Sequence, residues 1–253
     1  MEMNTPRLPS TRVLVTGGTS GLGLAMATAL AGAGARVVLT SRDRARAEEA
    51  AATIGAEGLA MDVRDAQAVE AGVQAAYERL GGVDVLVCNA GIGMRSVNPR
   101  FMTDPESFWQ VSPDGFRDVV ETKITGTFLV SRAVAPRMLD AGGDGRIVVI
   151  SMNTQTMTRP GFVPYGPSGA GVEALARVMA ADLEGTRVTV NILLPGGATA
   201  TGMVPDEIAA EVRERLLDPA IMGPPIVWLC SPEAAGVHNQ RIVATEFDSA
   251  GMS

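Results

Sequence analysis

Arg12-Val13-Leu14-Val15-Thr16-Gly17-Gly18-Thr19-Ser20-Gly21-Leu22-Gly23 is the stretch on which the rest of the chain is read. An apolar run that suits a buried strand enters a glycine-rich turn. The turn opens the small-residue helix Leu24-Ala25-Met26-Ala27-Thr28-Ala29-Leu30. Glycines let the backbone turn tightly and present bare N–H groups, and the following helix adds its positive N-terminal end, which together suit a pyrophosphate. Gly17, Thr19, Ser20, Gly21, Leu22 and Gly23 are therefore the first candidate contacts. The spacing is Gly-x-x-x-Gly-x-Gly, not Gly-x-Gly-x-x-Gly, and by itself it is also met in plain strand-to-helix turns. Its surroundings decide the matter.

Outward from this turn, strands and helices alternate. Ala33-Gly34 ends the first helix, and Arg36-Val37-Val38-Leu39-Thr40 reads as a second buried strand. A helix over Arg44 to Ile54 precedes a short strand near Leu59-Ala60-Met61. Asp65 caps a helix that runs to about Leu80, where Gly81-Gly82 breaks it. Val83-Asp84-Val85-Leu86-Val87-Cys88 is the fourth strand, a long helix spans Pro113 to Asp140, and Gly145-Arg146-Ile147-Val148-Val149-Ile150 is the fifth. A helix over 164–184, the strand Arg187 to Leu193 and a last strand Arg241-Ile242-Val243-Ala244 complete the series. Such alternation predicts an α/β fold: one doubly wound Rossmann-type domain, residues 1–253, on a parallel sheet of about seven strands. Ligands then lie at the carboxyl ends of the strands.

The composition agrees. At 253 residues the chain can bury a large sheet, and its abundant alanine and glycine suit helices packed closely on parallel strands. A net charge of −7 without a basic run argues against a nucleic-acid partner. No apolar run is long enough to span a bilayer, and Met1 to Pro9 lacks the charged-then-apolar order of a secretion signal. Cys88 and Cys230 fall where buried thiols are expected, so a reducing, cytoplasmic setting is expected. With His238 as the one histidine, no His-rich metal site can be assembled and no metal ligands are assigned. His238 falls in an expected turn, as a surface or interface residue. Asp206, Glu207, Glu211 and Glu214 with Arg213 and Arg215 read as a solvated helix face.

The strand ends hold the polar residues. Ser41-Arg42 ends the second strand: an acidic residue there would hold a ribose 2′-hydroxyl, whereas arginine can hold a 2′-phosphate. That favours NADP(H) over NAD(H), although Arg42 could also be a solvated start to the charged helix that follows. Asp62-Val63 is placed to line an adenine pocket, and Asn89-Ala90-Gly91 permits close approach of the cofactor at the end of the fourth strand.

In this combination the chain resembles the short-chain dehydrogenase/reductase family. Thr16 to Gly23, Asp62-Val63, Cys88-Asn89-Ala90-Gly91, Tyr165 and Pro195-Gly196-Gly197 carry the resemblance, in order, over nearly the whole chain. It implies a nicotinamide cofactor, a small-molecule substrate, and a homo-oligomer, dimer or tetramer, built on the two long helices. It also implies a tyrosine that exchanges a proton with the substrate oxygen, a serine that orients the substrate, a lysine four residues after the tyrosine, and an asparagine in the long helix.

Only the tyrosine, Tyr165, stands cleanly in place. The lysine position is Gly169, the asparagine position is Lys123, and the serine position falls on Met152 between Ser151 and Asn153. The lysine matters energetically. A free phenol titrates near ~10, and a cation at about 4 Å in an effective dielectric near 20 contributes about 4 kcal/mol, roughly three pH units. Without it Tyr165 remains an acid for reduction but is a poor base for oxidation. Lys123 is expected to reach through the space vacated at Gly169 and bring its charge to Tyr165 or the ribose; the alternative is that it snorkels to solvent. Ser151 is the expected orienting hydroxyl, given one residue of slack in the loop 152–163. A backbone-bonded strand-end serine is the alternative, with Asn153 or Thr154 in its place.

The segment from Gly93 to Asp114, with Phe101, Phe108 and Trp109, is expected to form a lid or substrate wall, with Phe108-Trp109 packed in the core against the long helix. Pro195 and Gly196 should run past the nicotinamide, with Thr201 near its amide or the pyrophosphate. Residues 200–225, rich in Met and Pro, should supply the opposite wall. The expected activity is NADP(H)-dependent oxidation–reduction of a carbonyl or secondary alcohol on a small, mostly apolar substrate. The departures at 123, 152 and 169 keep a rival open: the same fold in a cyclase- or dehydratase-like non-redox role, or in ligand binding.

Overall fold

The computed structural model describes residues 6–205 and 208–249. Seven strands form one parallel sheet: β1 (Arg12–Thr16), β2 (Arg36–Ser41), β3 (Glu57–Ala60), β4 (Val85–Cys88), β5 (Gly145–Ile150), β6 (Val188–Leu194) and β7 (Arg241–Val243). Their spatial order is β3-β2-β1-β4-β5-β6-β7. The order reverses between β1 and β4, which pair with Val15 opposite Val87. The crevice of such a sheet opens there, beyond Thr16 and Cys88.

Because successive side chains point to opposite faces, each apolar strand feeds two cores. Leu14 joins a layer under α3 (Ala66–Leu80), α5 (Gly126–Ala141) and α7 (Tyr165–Asp182). Its neighbours Val13 and Val15 join the opposite layer, under α1 (Gly21–Gly32), α2 (Arg44–Thr53) and α9 (Gly223–Cys230). Every residue of β4, β5 and β6 is buried. Burying each large aliphatic side chain contributes about 1.5–3 kcal/mol.

Helix ends follow their local chemistry. The Asp65 carboxylate accepts from the N–H groups of Gln67 and Ala68, and Gly81 closes α3 at φ 75°. Ser112 caps α4 (Pro113–Val120), with Pro113 in its first turn. The long helix expected over Pro113 to Asp140 is not uniform: a π turn, Glu121–Thr125, separates α4 from α5. The residue it inserts shifts the helix face, and Thr122 and Lys123 both become buried.

Three further expectations are corrected. Phe108 and Trp109 are not in the core: they are 69% and 73% exposed and contact each other edge-on at 5.1 Å. The inward place of that segment belongs to Phe101, which meets Phe162 at 5.4 Å. His238 is a strut more than a surface residue: its Nδ1 accepts from the Val190 N–H at 3.2 Å, and Nε2 lies 2.9 Å from the Ala180 carbonyl. Of the charged segment read as a helix face, only α8 (Ala210–Arg213) is helical, while Asp206 and Glu207 lie outside the described residues. Between β5 and α7 stands the single-turn helix α6 (Thr154–Met157), capped by Asn153.

Candidate active site

At the crevice, the glycine turn is tied to the end of β4. The Thr16 hydroxyl accepts from the N–H groups of Asn89 and Ala90 and donates to the Val87 carbonyl. The Asn89 amide donates to the carbonyls of Thr16 and Gly17, at 3.1 and 2.9 Å. Asn89 is thus spent bracing the turn from below. The glycines are forced by close approach as well as by conformation. Gly17 has φ 64°, and a Cβ there would lie 2.8 Å from Ala90 Cα. One at Gly18 would lie 2.6 Å from Leu39 Cβ, and one at Gly23 would collide with the Gly17 carbonyl. Above the turn, Ser20 caps α1 without a side-chain hydrogen bond, so its side chain leaves the first N–H groups of the helix free. Thr19 is half-buried, Ser20 exposed and Leu22 packed partly on the core. The backbone donors and the Cβ-intolerant shape fit a pyrophosphate.

On the other side of the turn, Arg42 is exposed just beyond β2. The Ser41 hydroxyl accepts from the Asp43 N–H, and the Asp43 carboxylate is turned away to cap α2 through Arg46. The Asp62 carboxylate is paired with Arg64 at 2.9 Å, which holds it below the usual carboxylate range. Arg64 also reaches Asp118 at 3.0 Å, tying this rim to α4. Val63 packs against Gly126, where a Cβ would lie 2.6 Å from Val63 Cγ2.

Residues from five segments make a chain of contacts around the head of α7. Lys123 donates to the Ile150 carbonyl at 3.1 Å, and its Nζ lies 4.0 Å from where a Cβ on Gly91 would stand. Ser151 continues β5 by donating its N–H to the Leu193 carbonyl. Met152 lies against Gly169, its Sδ 2.8 Å from a Cβ position there. Tyr165 begins the helix that carries Gly169, and its hydroxyl lies 3.9 Å from Met203 Sδ. Met203 in turn packs over Gly93. Behind the phenol, Met94, Phe101 and Phe162 make an apolar cluster that Tyr165 joins.

The Lys123 side chain takes neither of the two paths expected for it. It neither fills the space at Gly169, which Met152 occupies, nor reaches solvent, being 7% exposed. Desolvation lowers its pKa to about 8, partly opposed by the negative charge of Glu173. Burial pushes the Tyr165 phenol up, so no cation holds it down. Among the described residues neither Lys123 nor Ser151 hydrogen-bonds the phenol. The Ser151 hydroxyl is buried without any partner, a state that calls for an explanation. Arg241, paired with Glu173 at 3.0 Å, donates to the Met152 carbonyl at 2.9 Å and fixes that loop.

Thr201 stands over the glycine turn: its Cβ is 3.2 Å from a Cβ position on Gly21. Pro195 follows β6 and its carbonyl accepts from the Thr245 N–H, and Gly196 takes φ 96° beneath Thr245. Met203, which meets both Tyr165 and Gly93, was placed by the sequence only within a Met- and Pro-rich segment. The pairing of a large residue at 152 with glycine at 169 was the signal available for Met152. Cys88 and Cys230 are free and buried, and burial pushes both thiols up to about 12. No described helix is long and apolar enough to cross a membrane, and no described group of three His, Cys, Asp or Glu could hold a metal ion.

A parallel sheet with a glycine turn at its switch point and a tyrosine at the head of the neighbouring helix defines a nicotinamide-dependent dehydrogenase fold. The short chain dehydrogenase family model matches residues 11–211, and the chain belongs to that family of oxidoreductases. It is 31% identical to a 3-oxoacyl-[acyl-carrier-protein] reductase of Vibrio cholerae, over 90% of this chain and 93% of that protein. It is 33% identical to a gluconate 5-dehydrogenase of Gluconobacter oxydans, over 92% and 84%. Among solved structures, a short chain dehydrogenase from Burkholderia cenocepacia in complex with NADP superposes with a TM-score of 0.79. That match has 28% identity and covers 94% of this chain and 97% of that one.

Proposed function

We propose that the protein is an NADP(H)-dependent oxidoreductase that reduces a carbonyl, or oxidises the corresponding secondary alcohol, of a small and mostly apolar substrate. The observation that carries this reading is the alignment of an open, Cβ-intolerant glycine cradle with a phenol set against an apolar wall. The nicotinamide, when bound, supplies or accepts the hydride. Gly17, Thr19, Ser20, Gly21, Leu22 and Gly23 hold the pyrophosphate through backbone amides, with Thr201 above them. Ala90, Gly91, Pro195 and Gly196 keep the nicotinamide face clear of side chains, and Asn89 acts by fixing the turn. Asp62 and Val63 border the adenine.

The NADP preference is supported by Arg42, beside a Ser41 that carries no acid and an Asp43 occupied in capping. The Burkholderia cenocepacia structure with NADP supports it too. Tyr165 donates the proton to the substrate oxygen. The unpartnered Ser151 hydroxyl orients that oxygen, and Lys123 supplies positive charge beneath the ribose from its seat on the Ile150 carbonyl. The protein acts as one domain in the cytoplasm. It assembles as a homo-oligomer through the long-helix faces on which Phe128, Leu139 and Val178 are exposed.

Titration with NADPH, followed by its fluorescence, tests the cradle; loss of near-ultraviolet cofactor absorbance with a panel of ketones tests the chemistry. Binding followed by ketone-dependent oxidation is expected. One observation favours a second reading: Met152 fills the place of the lysine, leaving the phenol without a cation. Tight NADPH binding with no turnover across the panel would assign the site to a non-redox step or to ligand binding.

A further inference from the structure

The chain leaves β5 between two cations. Lys123 Nζ donates to the Ile150 carbonyl at 3.1 Å, and Arg241 Nη2 donates to the Met152 carbonyl at 2.9 Å. Ser151 lies between these carbonyls, its N–H bonded to the Leu193 carbonyl at 2.9 Å and its hydroxyl buried without a partner. A hydroxyl with no hydrogen bond of its own is aimed by its backbone and its packing alone. Whatever fixes the main chain of residues 150–152 therefore fixes that hydroxyl.

Arg241 reaches this point from β7, across the intervening β6. Ile242 belongs to the layer under α1, α2 and α9, so its neighbour Arg241 takes the α7 face, in register with Ile192. There its Nε donates to both Glu173 oxygens at 3.0 Å, which sets the plane of the guanidinium and presents Nη2 to Met152. Tyr165, Gly169 and Glu173 are spaced by four residues and share one face of α7. Met152 is held on that face twice, by its thioether at Gly169 and by its carbonyl through Arg241 to Glu173. The Glu173 side chain is 14% exposed, and its charge also opposes the desolvation of Lys123. One carboxylate thus serves both cations that flank Ser151. A partly buried ion pair adds little net stability on its own; the third contact, to a carbonyl beside Ser151, is what marks this one.

We infer that Glu173 and Arg241 are positioning residues, whose hold on the Met152 carbonyl sets the direction of the Ser151 hydroxyl and the seat of the Met152 thioether; this rests on the reading of Ser151 as the group that orients the substrate oxygen. Both act through the main chain and touch neither substrate nor cofactor. A small misplacement of an orienting group is enough to slow the chemistry without weakening the grip on the cofactor.

The test uses Arg241→Leu, Glu173→Ala and the control Arg187→Leu, which opens the ion pair to Asp144 at the opposite end of β6. Thermal melting checks folding. The first measurement needs no turnover: protein labelled with methyl-13C methionine is followed by NMR, with the Met152 signal assigned through Met152→Leu. That signal should move in Arg241→Leu and in Glu173→Ala and stay in place in Arg187→Leu. The second measurement is ketone reduction, with each variant also made in a Ser151→Ala background. Arg241→Leu and Glu173→Ala should lower kcat by about tenfold or more when Ser151 is present and change it little when Ser151 is absent, because residues that act as a unit are non-additive. NADPH affinity should be little changed throughout. An unmoved Met152 signal, an equal movement in Arg187→Leu, or an equal loss of kcat in both backgrounds would overturn the inference while leaving the reading of the site intact. A Ser151→Ala enzyme with full activity, or a wild-type protein that binds NADPH and reduces no ketone, would overturn that reading and the inference with it.

Discussion

The thioether of Met152 lies in the space that a side chain on Gly169 would need, with Cε 2.7 Å and Sδ 2.8 Å from the Cβ position. The two positions are complementary in volume, one large and one absent, so they must change together. Gly169→Lys alone overpacks this contact and should cost about 1–3 kcal/mol of stability without gaining activity. The double variant Met152→Ser/Gly169→Lys removes the obstruction and brings a cation one helical turn from Tyr165. It should recover stability over the single variant and raise alcohol oxidation at neutral pH about tenfold or more, with the alkaline limb of its pH profile moved downward. Melting curves and oxidation rates against pH check both parts; a double variant that oxidises no faster than the parent removes the missing cation as the limiting feature.

The sheet and the glycine turn were legible because their signals are local. Apolar runs such as Arg146 to Ile150, bounded by glycine and helix caps, allow few other structures, and each strand appears where the run predicts it. Gly17 and Gly23 could be read as close-approach positions, although that their neighbours are Ala90 and Asn89 could not. What escaped reading depends on packing between segments distant in sequence. Lys123 is turned inward by a π turn that hydrophobic periodicity does not announce. Phe108 and Trp109 are left outside because Phe101 takes the inward place, a competition that composition alone cannot decide. Met203 reaches Tyr165 across 38 residues of sequence.

Lys123 should cost the folded state stability at neutral pH. Below about pH 8 it is charged in both the folded and the unfolded chain, and the folded state bears its full desolvation cost. Between about 8 and the ordinary lysine value of 10.5, the folded chain releases the proton first and stability from this group rises with pH. The whole interval corresponds to about 3 kcal/mol at about 1.36 kcal/mol per pH unit. Lys123→Met should therefore be more stable than the parent near pH 7, by about 1–3 kcal/mol. Its advantage should shrink as the pH approaches 10. Denaturant melts at several pH values measure this. A stabilised variant that has also lost activity would place the ammonium in the chemistry; one with undiminished turnover would remove it.

Met203 closes the substrate side of the phenol by shape, since an O–H group gains little from a thioether at 3.9 Å. Met203→Leu should then behave like the parent. Met203→Ala opens the space between Gly93 and Tyr165 and should lower KM for branched or aryl ketones severalfold while leaving small ketones little changed. A Met203→Leu variant that loses activity as fully as an inactive-site variant would show instead that the sulfur itself matters.

Tyr165 sets the direction in which this site works well. Burial raises its pKa above the ordinary phenol value, so at neutral pH the hydroxyl is protonated and ready to donate. Carbonyl reduction should therefore show no decline from phenol ionisation up to about pH 10. Alcohol oxidation needs the phenolate, present in fewer than about one molecule in a thousand at pH 7, and should rise roughly tenfold per pH unit across the alkaline range. Tyr165→Phe should lower reduction by about 10²–10⁴-fold and leave NADPH affinity within about twofold of the parent, because in the proposed function the hydroxyl transfers a proton while the amides of the glycine turn hold the cofactor. Stopped-flow rates in both directions across pH, together with NADPH titrations of the variant, separate these effects. An oxidation rate already level near pH 7 would mean that some positive charge reaches the phenol once the cofactor is bound, and Lys123, seated on the Ile150 carbonyl, would be the group to follow.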